Sequence, residues 1–94
     1  MAKVKHCKAW VMKLYGNTTI EFDTKAETRK GILKAAGRAV ARQLGDDAIS
    51  VTSIEYKTGK PNAWSRELIR PSLYEDMHIV FKTARDELFN LRYA

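Results

Sequence analysis

Lys30, Lys34, Arg38 and Arg42 recur at every fourth position of the chain. On an α-helix such side chains stand one above another in a slightly winding row. A row of cations is suited to a polyanion, because each side chain neutralises a phosphate and releases its counterion. Four such contacts make affinity for duplex DNA fall with salt at a log–log slope of roughly −3 to −4. Lys5, Lys8 and Lys13 lie close to Trp10 and Tyr15 in sequence and extend the candidate patch, since aromatics on a basic sheet stack the bases of a single strand. The glycine–aromatic signature of the common RNA-recognition sheet is absent.

The plainer interpretation of a basic row is a solvated helix face. Trp10, if it points at a helix, is core. Gly31, Ala35 and Ala39 also recur every fourth residue, but alanine is the best helix former and its presence needs no contact to explain it. The distribution of charge favours the phosphate interpretation. Of a net +6, residues 1–44 carry ten Lys and Arg against three Asp and Glu, whereas residues 45–94 carry seven against eight. A half-molecule at +7 joined to one at −1 steers an anionic partner to one side.

Other chemistries find little support. His6 and Cys7 are adjacent, so a strand sends them to opposite faces, and neither Cys-x-x-Cys nor His-x-x-x-His occurs; no metal site follows. Lys57-Thr58-Gly59-Lys60-Pro61 lacks the earlier glycine of a phosphate loop and has Pro61 where Ser or Thr is required. The acidic pairs Asp46-Asp47, Glu75-Asp76 and Asp86-Glu87 show no convergence on one site. Serine elbow, dinucleotide loop and helix-turn-helix patterns are missing. No cofactor is implied, and the balance is against an enzyme.

A chain of 94 residues fits one domain, residues 1–94. The lone Cys7 excludes an intrachain disulfide, which suits a reducing compartment. Lys13 interrupts the apolar run Ala9-Trp10-Val11-Met12 before it reaches the length of a signal core or a membrane span. A cytoplasmic location without a membrane partner is the expectation, and the sequon Asn17-Thr18-Thr19 should then stay unmodified.

The elements that must position these residues follow from periodicity. Residues 4 to 15 suit a strand, Gly16-Asn17 a turn, and Thr18 to Phe22 a second strand with Ile20 and Phe22 on one face. A two-residue loop pairs Val11 with Phe22. A three-residue loop pairs Met12 with Phe22 and Leu14 with Ile20, and is preferred because it gives Trp10, Met12 and Leu14 the core face. Thr24 and Glu27 make a capping box for a helix from Lys25 to Leu44, closed by Gly45. Its apolar side is Ile32, Leu33, Ala36, Val40 and Leu44. Ala48 to Lys57 is a third strand whose alternation slips near Ser53, predicting a bulge or an edge position. After a turn at Thr58-Gly59-Lys60-Pro61, residues 62–70 read as a fourth strand, with Trp64 and Leu68 on one face, or as a helical turn. Ser72 and Glu75 cap a helix from Leu73 to Arg92, with Met77, Val80, Phe81, Ala84, Leu88 and Leu91 as its stripe. The competing assignment makes Met77 to Lys82 a strand.

The sequence thus predicts an α+β fold: a small antiparallel sheet of three to four strands, two helices on one face, in the order ββαβ(β)α. The function expected of it is a binding module contacting DNA or RNA phosphates through Lys30, Lys34, Arg38, Arg42, Lys5, Lys8 and Lys13. The alternative is a protein-interaction module, either a homodimer or a small adaptor docking on an acidic protein partner through apolar side chains such as Ile79, Phe89 and Tyr93.

Overall fold

Alternating strand residues and two long amphipathic segments condense into one layer of sheet and one of helix. The computed structural model describes residues 4–58 and 65–93 of the chain. Its elements are β1 (Lys5–Lys13), β2 (Gly16–Thr24), α1 (Arg29–Leu44), a single 3₁₀ turn (Gly45–Asp47), β3 (Ala48–Thr58), β4 (Ser65–Ile69) and α2 (Glu75–Tyr93). The four strands form an antiparallel sheet in the order β2-β1-β3-β4, and both helices pack on one face of it. The α+β class, the strand order along the chain and the helical nature of residues 77–82 agree with the sequence.

The hairpin register does not. Lys13 pairs with Gly16, so Leu14 and Tyr15 are the turn, and Cys7 lies opposite Phe22 and Ala9 opposite Ile20. Both registers expected from a turn at Gly16-Asn17 are therefore wrong. Gly16 instead opens β2 at φ +105°, a backbone that other residues rarely adopt. The core face of β1 is Cys7, Ala9 and Val11; Trp10 and Met12 point to the open side of the sheet. The physical reason is thickness. The helices bring Ile32, Leu33, Val40 and Val80 down onto the sheet, so the central strand supplies small side chains beneath them. Beside it, Val51 and Ile54 of β3 complete a core with no buried polar or charged residue among those described.

The β3 slip is a bulge. Trp10 pairs with Ser53 but Val11 with Val51, leaving Thr52 extra, and its hydroxyl donates to the Trp10 carbonyl at 3.1 Å. The edge alternative is excluded, since β3 lies between β1 and β4. Residues 65–69 resolve to the strand alternative, but Ile69 rather than Leu68 faces the core. Trp64 and the Gly59-Lys60-Pro61 turn lie outside the described residues.

Helix α1 starts one turn later than the Thr24–Glu27 box implied. Thr24 is still paired with Lys5 in the sheet, and its hydroxyl accepts from Ala26 N–H at 3.1 Å. Thr28 is the cap, accepting from Gly31 N–H at 3.1 Å. The expected end holds: the Gly45 N–H donates to the carbonyls of Ala41 and Val40. At α2 the expected Ser72–Glu75 box becomes Ser72–Asp76. The Asp76 N–H donates to the Ser72 hydroxyl at 3.1 Å, and the Ser72 N–H donates back to the Asp76 carboxylate at 2.8 Å.

The two helices run in the same direction. Arg29 meets Asp76, Arg42 meets Glu87, and Arg92 meets Asp46 just beyond α1. A dyad through the sheet exchanging the two ββα halves would make them antiparallel, so the repeated element order is not a symmetric duplication. They lie in close contact at Gly37, where an added Cβ would lie 2.3 Å from the Val80 carbonyl oxygen and 3.0 Å from the Thr83 Cβ. Because the first obstacle is backbone, Gly37→Ala must push the helices apart. A loss of about 1–3 kcal/mol is expected, seen in chemical denaturation as a lower midpoint with native-like secondary structure retained. An unchanged midpoint would show that this contact is not tight.

Candidate nucleic-acid interface

The cations expected to form one patch separate into four environments. Lys5 is half-buried on the helix side of β1, and its ammonium donates to the Ala26 carbonyl at 2.8 Å, tying the strand to the β2–α1 connection. Lys13 is half-buried where the hairpin ends, paired with Gly16 and Ala48. Lys8 is exposed on the open face of the sheet. There it lies in register between Glu21 and Glu55, with its ammonium 5.4 Å from the Trp10 ring centroid. Around it His6 contacts Asp23 at 2.7 Å and Arg66 pairs with Glu55 at 2.8 Å. That face mixes acids with bases, Lys57 lying opposite Arg66 at its β3–β4 side, and Trp10 sits half-buried within it rather than in the core.

The α1 row behaves differently. Lys30, Lys34, Arg38 and Arg42 are all exposed on the side of α1 away from the sheet. Lys34 and Arg38 form one wall of an open groove of about 410 Å³, whose other wall on α2 is Lys82, Thr83, Asp86, Glu87 and Asn90. Arg42 is drawn across to Glu87, with its guanidinium nitrogens 3.2 and 3.3 Å from one carboxylate oxygen. Among the described residues Lys30, Lys34, Arg38 and Lys82 have no ion-pair partner. The structure thus replaces Arg42 by Lys82 as the fourth free cation of the row. Lys82 carries no signal of its own in the sequence, since it is a single cation off the apolar stripe of α2. Its nearness to Lys34 and Arg38 depends on the parallel packing of the helices, which periodicity does not encode.

The groove is held at both ends. At the far end Arg42 bonds to Glu87. At the near end Arg29 pairs with Asp76 and donates to the Arg70 carbonyl at 3.3 Å. The hydrogen bond from the Ser72 backbone N–H pulls the Asp76 carboxyl below the ordinary aspartate range; partial burial opposes this and Arg29 reinforces it.

The remaining reactive groups do not assemble. Among the described residues no three of His, Cys, Asp and Glu come together as a metal site. Cys7 is buried on the face opposite to exposed His6. Burial pushes its thiol up to about 11, with Lys5 lowering it and Asp23 raising it to lesser degrees. A thiol held protonated in this way is a poor nucleophile. No helix among the described residues is long and apolar enough to cross a membrane.

A different kind of surface appears at the end of α2. Its core-facing stripe contributes Val80 and Ala84 to the interior, but Leu91, on the same stripe, is 57% exposed. On the other side Phe89 and Tyr93 are 63% and 73% exposed, their rings 4.8 Å apart. The final turns of α2 therefore carry apolar side chains that the sheet does not cover. Ile79, grouped with them on sequence grounds, is partly buried against the core. The hairpin turn approaches the same end, where Leu14 N–H donates to the Asp47 carbonyl at 3.1 Å and Asp46 pairs with Arg92.

Comparison with protein-family models, curated proteins and solved structures finds no match to the chain.

The lowered Asp76 value gives an acid-stability signature. Because the folded-state value lies below the unfolded value of ~4, the contribution is complete above that pH and is lost as pH falls through the lowered value. Asp76→Asn is expected to lower stability at neutral pH by about 1 kcal/mol and to flatten this part of the acid limb in melting curves measured as a function of pH. An acid limb identical to that of the parent protein would assign the effect to other carboxylates.

Proposed function

We propose that the protein is a non-enzymatic intracellular module that contacts nucleic-acid phosphates through the cationic groove between α1 and α2. One observation carries this. Lys34, Arg38 and Lys82 share an open groove and, with Lys30 beside them on α1, have no anionic partner among the described residues, whereas Arg29, Arg42 and Arg92 are each held by an acid. Unpaired cations on rigid helices remain hydrated and screened by mobile ions, and a phosphate backbone that displaces those ions gains their entropy. The acid-balanced face of the sheet offers the same polyanion no net attraction, so that the helix layer is the favoured side of approach.

Fluorescence anisotropy with a labelled mixed-sequence oligonucleotide across a salt series tests this. Four contacts give a log–log slope of about −3.6 on a duplex and about −2.8 on a single strand. The triple variant K34A/R38A/K82A leaves one contact and a slope below about −1 in magnitude. Parent protein that fails to bind at low salt, or a triple variant that binds like the parent, removes the proposal.

A second reading is favoured by the apolar end of α2. Large apolar side chains left open on both sides of a helix end mark a surface that a partner covers. Arg85, one turn before Phe89 on the same side of α2, makes no ion pair among the described residues, and a net charge of +6 sets copies of the chain against one another. The partner that suits is therefore an acidic protein with an apolar face, in preference to a second copy. Light scattering should show a monomer, and Phe89→Ser with Leu91→Ser should shift stability by no more than about 0.5 kcal/mol per site, as for exposed positions. A dimer abolished by the double substitution would overturn the choice of an acidic partner.

A further inference from the structure

We infer that the α1–α2 groove is built for the backbone of a duplex nucleic acid, bound without regard to base sequence; this rests on the phosphate-binding function proposed above and names its substrate class. The spacing along α1 is the first ground. Lys30, Lys34 and Arg38 climb the helix by about 6 Å per step, close to the separation of successive phosphates on one strand. Lys82 is the second ground. It stands across the groove on a different helix, so that cations line both walls, Lys34 and Arg38 on α1 and Lys82 on α2. Cations on both walls can meet the two backbones of a duplex together, whereas a lone strand running along α1 reaches Lys82 only by turning across the groove.

The lining supplies the third ground. Lys34, Arg38, Lys82, Thr83, Asp86, Glu87 and Asn90 include no aromatic ring. Single-strand binders gain much of their affinity by stacking unpaired bases on such rings, and here the bases would meet only charged and polar groups. Asp86 and Glu87 also stand next to Lys82 on the α2 wall and repel any phosphate further along it, limiting the footprint to about four phosphates. Finally, the groove is pre-set. The close approach at Gly37 sets the two walls relative to each other before any ligand arrives, with the ion pairs of Arg29 and Arg42 spanning its ends. A stiff ligand whose phosphates are already ordered loses less freedom on such a surface than a flexible one.

The experiment uses the full chain and four probes: a mixed-sequence DNA duplex, the RNA duplex of the same sequence, and one separated strand of each. Four contacts give slopes of about −3.6 on a duplex and about −2.8 on a strand, a difference that compounds to roughly tenfold between about 1 M and about 50 mM salt. The expected result is that either duplex outcompetes its own strand by that factor at low salt. Permuting its sequence should leave the affinity unchanged. Lys34→Ala and Lys82→Ala should each reduce the duplex slope by about 0.9, while Lys8→Glu on the opposite face leaves it unchanged. Strands that bind as tightly as duplexes, or a clear base preference, overturn the duplex inference and leave phosphate binding standing. Absence of binding to all four probes removes both.

Discussion

The contact between α1 and α2 at Gly37 organises the rest of the molecule. With no side chain there, the Val80 carbonyl can lie against α1. The helices can then share one face of a sheet whose central strand is lined with Cys7, Ala9 and Val11. Close parallel packing has a second consequence at the surface. It sets the outward cations of α1 beside those of α2, so that Lys82 joins Lys34 and Arg38. A groove made in this way is a by-product of core packing, with its helix backbones set by the interior and its charged side chains exposed to solvent.

Electrostatics then divides the helix layer. Acidic residues occupy positions that lock its ends: Asp76 on Arg29, Glu87 on Arg42, Asp46 on Arg92. Exposed pairs of this kind contribute little stability individually, about 0–1 kcal/mol. Their larger effect is on what remains unpaired. By pairing Arg29 and Arg42 they leave Lys34, Arg38 and Lys82 as the cations of the groove without an ion-pair partner among the described residues. Lys30, Lys34, Arg38 and Lys82 make no ion pair among the described residues, and Asp86 and Glu87, which also line the groove, bound the positive field on its α2 side.

Much of the fold was legible because its signals are local. The helical stripe ending at Leu44-Gly45, the slip near Ser53 and the apolar stripe of α2 each follow from a few residues and a fixed period. The start of α1 was misplaced because Thr24 and Thr28 both offer a hydroxyl. Only the pairing of Thr24 with Lys5, a contact distant in sequence, decides between them. The hairpin failed for a related reason. Leu14-Tyr15 carries no turn signature, and choosing Ala9 over Trp10 for the core requires knowing how much volume the helices bring. For the candidate interface, Lys30, Lys34 and Arg38 could be read from spacing alone. Lys82 could not, because its place beside them depends on the mutual direction of two helices, and neither could the neutralisation of Arg42 by Glu87.

The open face of the sheet shows why arrangement outweighs total charge. It bears cations of the same kinds, His6, Lys8 and Arg66, yet each lies next to an acid: Asp23, Glu21 or Glu55. Cross-strand pairing favours this along β1, where His6 lies opposite Asp23 and Lys8 opposite Glu21 and Glu55, because opposite charges directly across a ladder stabilise it; across β3 and β4, where Lys57 lies opposite Arg66, the acid comes diagonally, from Glu55 to Arg66. A helix row faces no such restraint along its outer side. Side chains four apart there stay solvated, and repulsion between like charges costs only a few tenths of a kcal/mol per pair. The basic half of the chain therefore became a balanced surface where it formed strands and an unbalanced one where it formed a helix. The net charge of +6 measures neither surface. What gives the phosphate proposal its physical basis is the secondary structure on which each cation sits.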